Sequence, residues 1–176
     1  MASESNFKSH FIISELNNNW DDFKSVLSAI SQQQYLWKPA PDKWCLLEIV
    51  CHLLDEERED FKARLHHVLT NPDLPLPPID PVNWVTARDY MKQDYSLILK
   101  LFLEERKKSL KWLNSLVNPD FKKAHHHPKF GAMSGELFLS NWLAHDYLHL
   151  RQIIKLKYDY LKFQTGQQDL KYAGEW

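Results

Sequence analysis

Apolar residues recur at steps of three and four along most of this chain, the period of an α-helix that buries one face. From about Phe7 to Ile30 the residues Phe7, Phe11, Ile12, Leu16, Trp20, Phe23, Val26, Leu27 and Ile30 keep that step and predict a first helix. Gln32-Gln33-Gln34 and Pro39-Ala-Pro41-Asp42 interrupt it. A second helix is predicted from near Trp44 to about Leu69. It opens on a variant capping box, with Cys45 at the N-cap and Glu48 at the third helical position. A thiol accepts hydrogen bonds weakly, so this cap should be poorer than one built on Ser or Thr. The third helix starts between Trp84 and Asp94 and ends at Val117, where Asn118-Pro119-Asp120 stops it. A fourth follows Ser134, a suitable N-cap, with Glu136 in the first turn to suit the helix dipole. Gly166 marks its end.

The connections are as telling as the helices. Asn71 to Pro81 holds five of the nine prolines and reads as a stiff polyproline-like link across the end of a bundle. A PxxP ligand from Pro75 to Pro78 is the competing reading, and the stiff link is preferred. The stretch Glu104-Glu-Arg-Lys-Lys108 reads as a solvated face. A second long connection carries His125-His-His-Pro128 and Gly131, expected as a loop. Tyr172 and Trp176 would be poor solvent-exposed residues, which predicts a tail that folds back on the bundle. With no internal repeat and no domain boundary, the expected fold is all-α: one four-helix bundle over residues 1–176 with a long crossover connection.

Composition narrows the function. A chain of 176 residues with seven Trp, seven Tyr, nine Phe and only four Gly can build a core without disulfides or a structural metal. A net charge of −1 gives no basic footprint for nucleic acid or for an anionic membrane. No apolar run reaches transmembrane length, and the polar start Met1-Ala-Ser-Glu-Ser lacks a signal-peptide core. Cys45 and Cys51 form no metal or redox spacing and read as buried thiols in a reducing cytoplasm.

Candidate chemistry concentrates in Trp142-Leu-Ala-His-Asp-Tyr-Leu-His-Leu-Arg-Gln-Ile-Ile154. His145 and His149 lie about 40° apart around a helix and about 6 Å apart along it, so two imidazoles can converge on one ion. Buried histidines hydrogen-bonded to neighbours would give the same spacing. His52, mid-helix among apolar residues, is the obvious third ligand for a catalytic site that keeps a coordination position open. Glu56, one turn beyond His52, could accept a proton at the metal or be a structural carboxylate paired with an Arg such as Arg64. Asn141, one turn before His145, reads equally as a lining residue or a core-edge amide. Asp146 points about 100° away from its neighbour and should face outward or pair with another helix. The same angle removes Cys51 as a co-ligand. His125-His126-His127 could bind metal alone but reads as a loop.

Taken together these stretches resemble the DinB/YfiT-like superfamily of metal-binding four-helix bundles. Pro41-Asp-Lys-Trp44, Glu48, His52-Leu53, Glu56 and Arg64-Leu65 are similar to the family's opening motif. Trp84 follows the proline-rich link. His127-Pro128 with Gly131 and Ser134 resembles the lead-in to its last helix, and His145 with His149 its closing pair. The resemblance covers nearly all of the chain from Trp37 onward. It implies a triad of His52, His145 and His149 around a divalent ion, usually zinc or nickel. Some relatives carry a further His where this chain has Leu150, a departure that touches the substrate's surroundings more than the ion.

Three neutral imidazoles leave an ion its full charge, which favours deprotonation of a bound water or thiol. The resemblance implies hydrolysis in some members and low-molecular-weight thiol co-substrates in others. No Ser-His-Asp order, Gly-rich phosphate loop or HExxH motif competes for the chemistry. The expectation is therefore a metal-dependent thiol transferase or hydrolase acting on a small molecule in the cytoplasm, with a homodimer left open. The alternative is a non-catalytic, stress-associated metal-binding bundle. Neither nucleic acid nor membrane is an expected partner.

Overall fold

A computed structural model describes residues 7–166 and 168–174. Its long helices are α1 (Ser9–Leu27), α3 (Leu46–Glu56) continued by α4 (Lys62–Thr70), α6 (Tyr95–Ser115) and α7 (Gly135–Gln164), with short helices α2 (Gln32–Tyr35) and α5 (Pro81–Ala87) in the connections. Each predicted helix is present. The predicted start and stop of the last helix also hold: Ser134 Oγ accepts from Leu137 N at 3.1 Å, and Gly166 has φ +66°. Cys45 N donates to Glu48 Oε2 at 2.9 Å, so the carboxylate half of the variant capping box is made.

The second predicted helix is not uniform. Between α3 and α4 lies a π-helical turn, Glu57–Phe61. Such an insertion shifts the phase of everything after it and often marks a functional site. Every residue of α3 is buried, including Glu48, His52, Asp55 and Glu56. Buried polar groups need partners. Glu48 has Lys38 at 2.8 Å, and Asp55 accepts from Tyr90 Oη at 2.6 Å and pairs with Arg88 at 2.8 Å. His52 instead faces α7, and Glu56 lies beside His52 and shares a hydrogen bond with Asp60.

Helix α1 packs on α6 and α7, and the α3–α4 helix packs on the same two. Sequence neighbours therefore stand across the diagonal at two steps: α1 to α3, and α6 to α7. The proline-rich link, expected to be the long crossover, joins the adjacent α4 and α6. The diagonal crossings are made before Trp44 and after Ser115. The second is no plain loop, because Ala124–His127 pairs antiparallel with Gly131–Ser134 as a small hairpin. Gly131 has φ +71° at its turn, a conformation that favours glycine.

Two apolar clusters fill the bundle. One is built around Phe23, Leu27, Leu46, Leu53, Phe102 and Ile153, the other around Leu16, Phe61, Leu65, Leu110, Trp142 and Leu143. A polar layer crosses between them. Tyr172 is fully exposed, so the described part of the tail is not folded back as expected; Trp176 lies outside the described residues. Among the described residues no helix is long and apolar enough to cross a membrane.

Candidate metal centre

The groove between α3 and α7 brings His52, His145 and His149 together. The Nε2 atoms of His52 and His145 approach to 3.2 Å, and those of His145 and His149 to 3.1 Å. One ligand atom from each lies within 4.8 Å of the other two, a spacing that can hold a metal ion. His52 and His149 are buried, and His145 is the most open of the three. The indole of Trp44 stands 5.0 Å from the His52 ring, and the Phe61 ring 4.9 Å from His145. These aromatic rings wall the triad on two sides.

Electrostatics suit the donor set to a cation. Burial, then the neighbouring His149, lowers the His52 pKa to about 3. Burial and the two other imidazoles lower His145 to about 2, and burial lowers His149 as well. All three are therefore neutral near pH 7, the form that coordinates metal. Glu56 Oε1 lies 3.8 Å from His52 Nδ1, one turn along the same helix. Burial pushes Glu56 up to about 8, helped by Asp60, with which it shares a hydrogen bond. Burial also raises Asp60, against the pull of Arg64, whose Nε is 2.9 Å from Asp60 Oδ1. Arg64 is thus directed to Asp60 more than to Glu56.

The other candidates fall around the triad. Asn141 is exposed, donates Nδ2 to Leu137 O at 2.8 Å, and lines a groove of about 320 Å³ with Asp60, Phe61, Arg64 and Phe130. Cys51 points away, with Sγ 3.9 Å from Tyr90 O. His125 Nδ1 is 2.9 Å from Pro72 O, and His127 Nδ1 accepts from Lys129 N and Phe130 N in the hairpin turn. Neither joins the triad. A larger groove of about 460 Å³ lies between α1 and α6, and none of its lining residues belongs to α3, α4 or α7.

Arg106 corrects the sequence reading. It was expected on a solvated face, yet it is 2 % exposed and donates to Asp146 Oδ2 and Oδ1 at 2.6 and 2.7 Å and to Glu57 Oε2 at 2.9 Å. The signal was present: Ile98, Phe102, Arg106, Leu110 and Leu113 share one helical stripe. Asp146 pairs with another helix, one of its two expected fates.

Neutral buried histidines also set a pH response of the metal-free protein. In the unfolded chain His52 and His145 titrate near the ordinary 6.5; in the fold both stay neutral far below it. The unfolded state then binds more protons below about pH 6.5, so stability falls as pH drops through that window and is unaffected above it. Glu56 acts with the opposite sign, holding its proton from 4.5 up to about 8 in the fold, so its contribution is present at low pH and lost as pH rises through that range. The slope of melting temperature between pH 5 and 6.5 is expected to shift toward lower values in metal-free His145→Phe, that is, to show less loss on acidification than the parent. Equal slopes would mean that His145 is charged or solvated in the metal-free fold.

A helical bundle with three convergent imidazoles in the groove between two of its helices defines the class. The DinB superfamily pattern matches residues 15–153, and the chain belongs to that superfamily. Among solved structures it is similar to YfiT from Bacillus subtilis, described as "a probable metal-dependent hydrolase with an unusual four-helix bundle topology". That likeness has a TM-score of 0.76 at 21% identity and covers 96% of this chain and 93% of YfiT, which establishes a common fold. No curated protein matches the chain.

Proposed function

We propose that this protein is a metal-dependent enzyme in which His52, His145 and His149 hold one divalent ion, zinc or nickel, for hydrolysis or thiol transfer on a small molecule. The observation that carries the reading is the approach of three neutral Nε2 atoms, from two different helices, to 3.1–3.2 Å steps. The description of YfiT as a probable metal-dependent hydrolase points the same way. An ion held by three imidazoles supplies Lewis acidity and lowers the pKa of a coordinated water or thiol.

The chain's own groups do the rest. Glu56 Oε1 stands 3.8 Å from the unpartnered His52 Nδ1, beyond a direct hydrogen bond; once ionised, its charge would favour the tautomer that carries the proton on Nδ1 and leaves Nε2 free. Ionised, the same carboxylate would serve as the proton acceptor of the site; Asp60, with which it shares a hydrogen bond, lines the groove with Phe61, Arg64 and Asn141. Trp44 and Phe61 wall the triad. Free, buried Cys45 and Cys51 fit a reducing cytoplasm.

Elemental analysis of purified protein, joined to a screen of ester, amide and thiol-transfer substrates with and without a cellular thiol, tests the reading. About one ion per chain and metal-dependent turnover are expected. One ion without turnover on any substrate would favour a non-catalytic bundle, and no ion would remove the metal reading. The metal-free protein should stay folded, because two apolar clusters hold the helices. Adding zinc at a thousandfold excess over its Kd stabilises by about 4 kcal/mol, which for a chain of this size raises Tm on the order of 10 °C. Collapse of the helical circular dichroism signal on chelation would instead make the site structural.

A further inference from the structure

Four helices each give one polar group to the layer between the apolar clusters. Asn19 lies between Leu16 and Phe23, Glu57 between Leu54 and Phe61, Arg106 between Phe102 and Leu110, and Asp146 between Leu143 and Ile153. None is more than 2 % exposed. Arg106 joins them: its guanidinium grips both oxygens of Asp146 at 2.6 and 2.7 Å, and its Nε donates to Glu57 Oε2 at 2.9 Å. Asn19 Nδ2 donates to Asp146 Oδ2, and Trp142 Nε1 to Glu57 Oε2, both at 3.1 Å.

We propose that Arg106, on a helix that contributes none of the three histidines, is a positioning residue for the metal centre, an inference that rests on the metal reading above. Asp146 directly follows His145, and their side chains leave α7 about 100° apart. Clamping Asp146 into the bundle interior therefore fixes the rotation of α7 and turns His145 into the groove. On the other side, Glu57 is the first residue of the π-helical turn, immediately after Glu56 and five residues after His52. One guanidinium thus sets the phase of both helices that carry the histidines.

The tolerance is small. An imidazole tip stands roughly 6 Å from its helix axis, so a rotation of about 10° carries it about 1 Å. Metal–ligand distances hold within about 0.2 Å. Packing of apolar side chains alone tolerates small slips, whereas a slipped charge layer would leave a buried carboxylate or guanidinium unpaired, which is strongly unfavourable. A buried ion cluster adds little net stability over an apolar replacement, so its stronger role here is to admit one phase.

Zinc affinity, the visible spectrum of the cobalt(II)-loaded protein and Tm, measured together on the full chain, separate positioning from plain stability. Asp146→Asn keeps size and removes the charge; Arg106→Lys keeps the charge and loses the planar fork. Both are expected to bind zinc about tenfold more weakly, the scale of lost outer support at metal sites, with shifted cobalt bands. Leu27→Ala, an apolar truncation at the end of α1, a helix that carries no member of the triad or its ion layer's carboxylates, should lower Tm and keep parental affinity and spectrum. If the two polar variants do not fold, the triple variant Glu57→Leu, Arg106→Met, Asp146→Leu leaves no buried charge there; it should fold and show the same weakened binding. Parental affinity and cobalt bands in a folded Asp146→Asn, Arg106→Lys or triple variant overturn the proposal and leave the metal reading standing. A parent that binds no zinc removes both.

Discussion

Replacing His145 with Ala is expected to weaken zinc binding by more than about 100-fold while leaving the helical fold in place. Loss of an outer-shell partner already costs 10–100-fold at typical sites, so loss of a ligand should exceed that range. His145 is the central member of the triad, with Nε2 3.2 Å from that of His52 and 3.1 Å from that of His149. Removing it leaves two imidazoles on opposite sides of the groove. Its ring also packs on Phe61, so a modest loss of Tm accompanies the loss of metal. The matched control is His125→Ala, in the hairpin and bonded to Pro72 O, which should keep parental metal content. Calorimetric titration with zinc decides. Equal affinity in His145→Ala and parent would remove the triad, and lost affinity in His125→Ala would relocate the site.

The second large effect is expected at Glu56. Glu56→Gln should cut turnover at least tenfold and change metal content little, because it removes a proton acceptor but keeps size and much of the hydrogen bonding. His52→Ala should remove metal and turnover together. The pH profile carries the sign. Glu56 must be ionised to accept a proton, and burial holds it protonated up to about 8 in the metal-free protein. A nearby dication favours the carboxylate, so activity of the loaded enzyme should rise with pH along a limb centred below 8, and Glu56→Gln should flatten that limb. Parental turnover with a reduced Tm in the Gln variant would make Glu56 a structural carboxylate. Asp60 and the metal's own ligands would then have to serve the proton.

Much of this was written in local pattern. The three- and four-residue apolar step placed all four long helices, and Ser134 and Gly166 marked the ends of α7, because capping and helical phase are properties of a few adjacent residues. The i, i+4 relation of His145 to His149, and of His52 to Glu56, follows from helix geometry alone. Whether His52 meets the other two does not, since it depends on which faces of α3 and α7 are opposed.

Tertiary structure decided the rest. The crossovers could not be assigned from connection length: the proline-rich link looked like the long crossing, yet it joins adjacent helices while the hairpin segment spans a diagonal. Arg106 looked solvated because its neighbours Glu104, Glu105, Lys107 and Lys108 are charged, and only the packing of α6 shows that its partners are Glu57 and Asp146, 49 and 40 residues away. The π-helical turn left no clear local mark, because it is stabilised by what surrounds it. Sequence determined which residues could act, through period, caps and residue chemistry. The opposition of α3 and α7, held by contacts far apart in the chain, determined which of them meet.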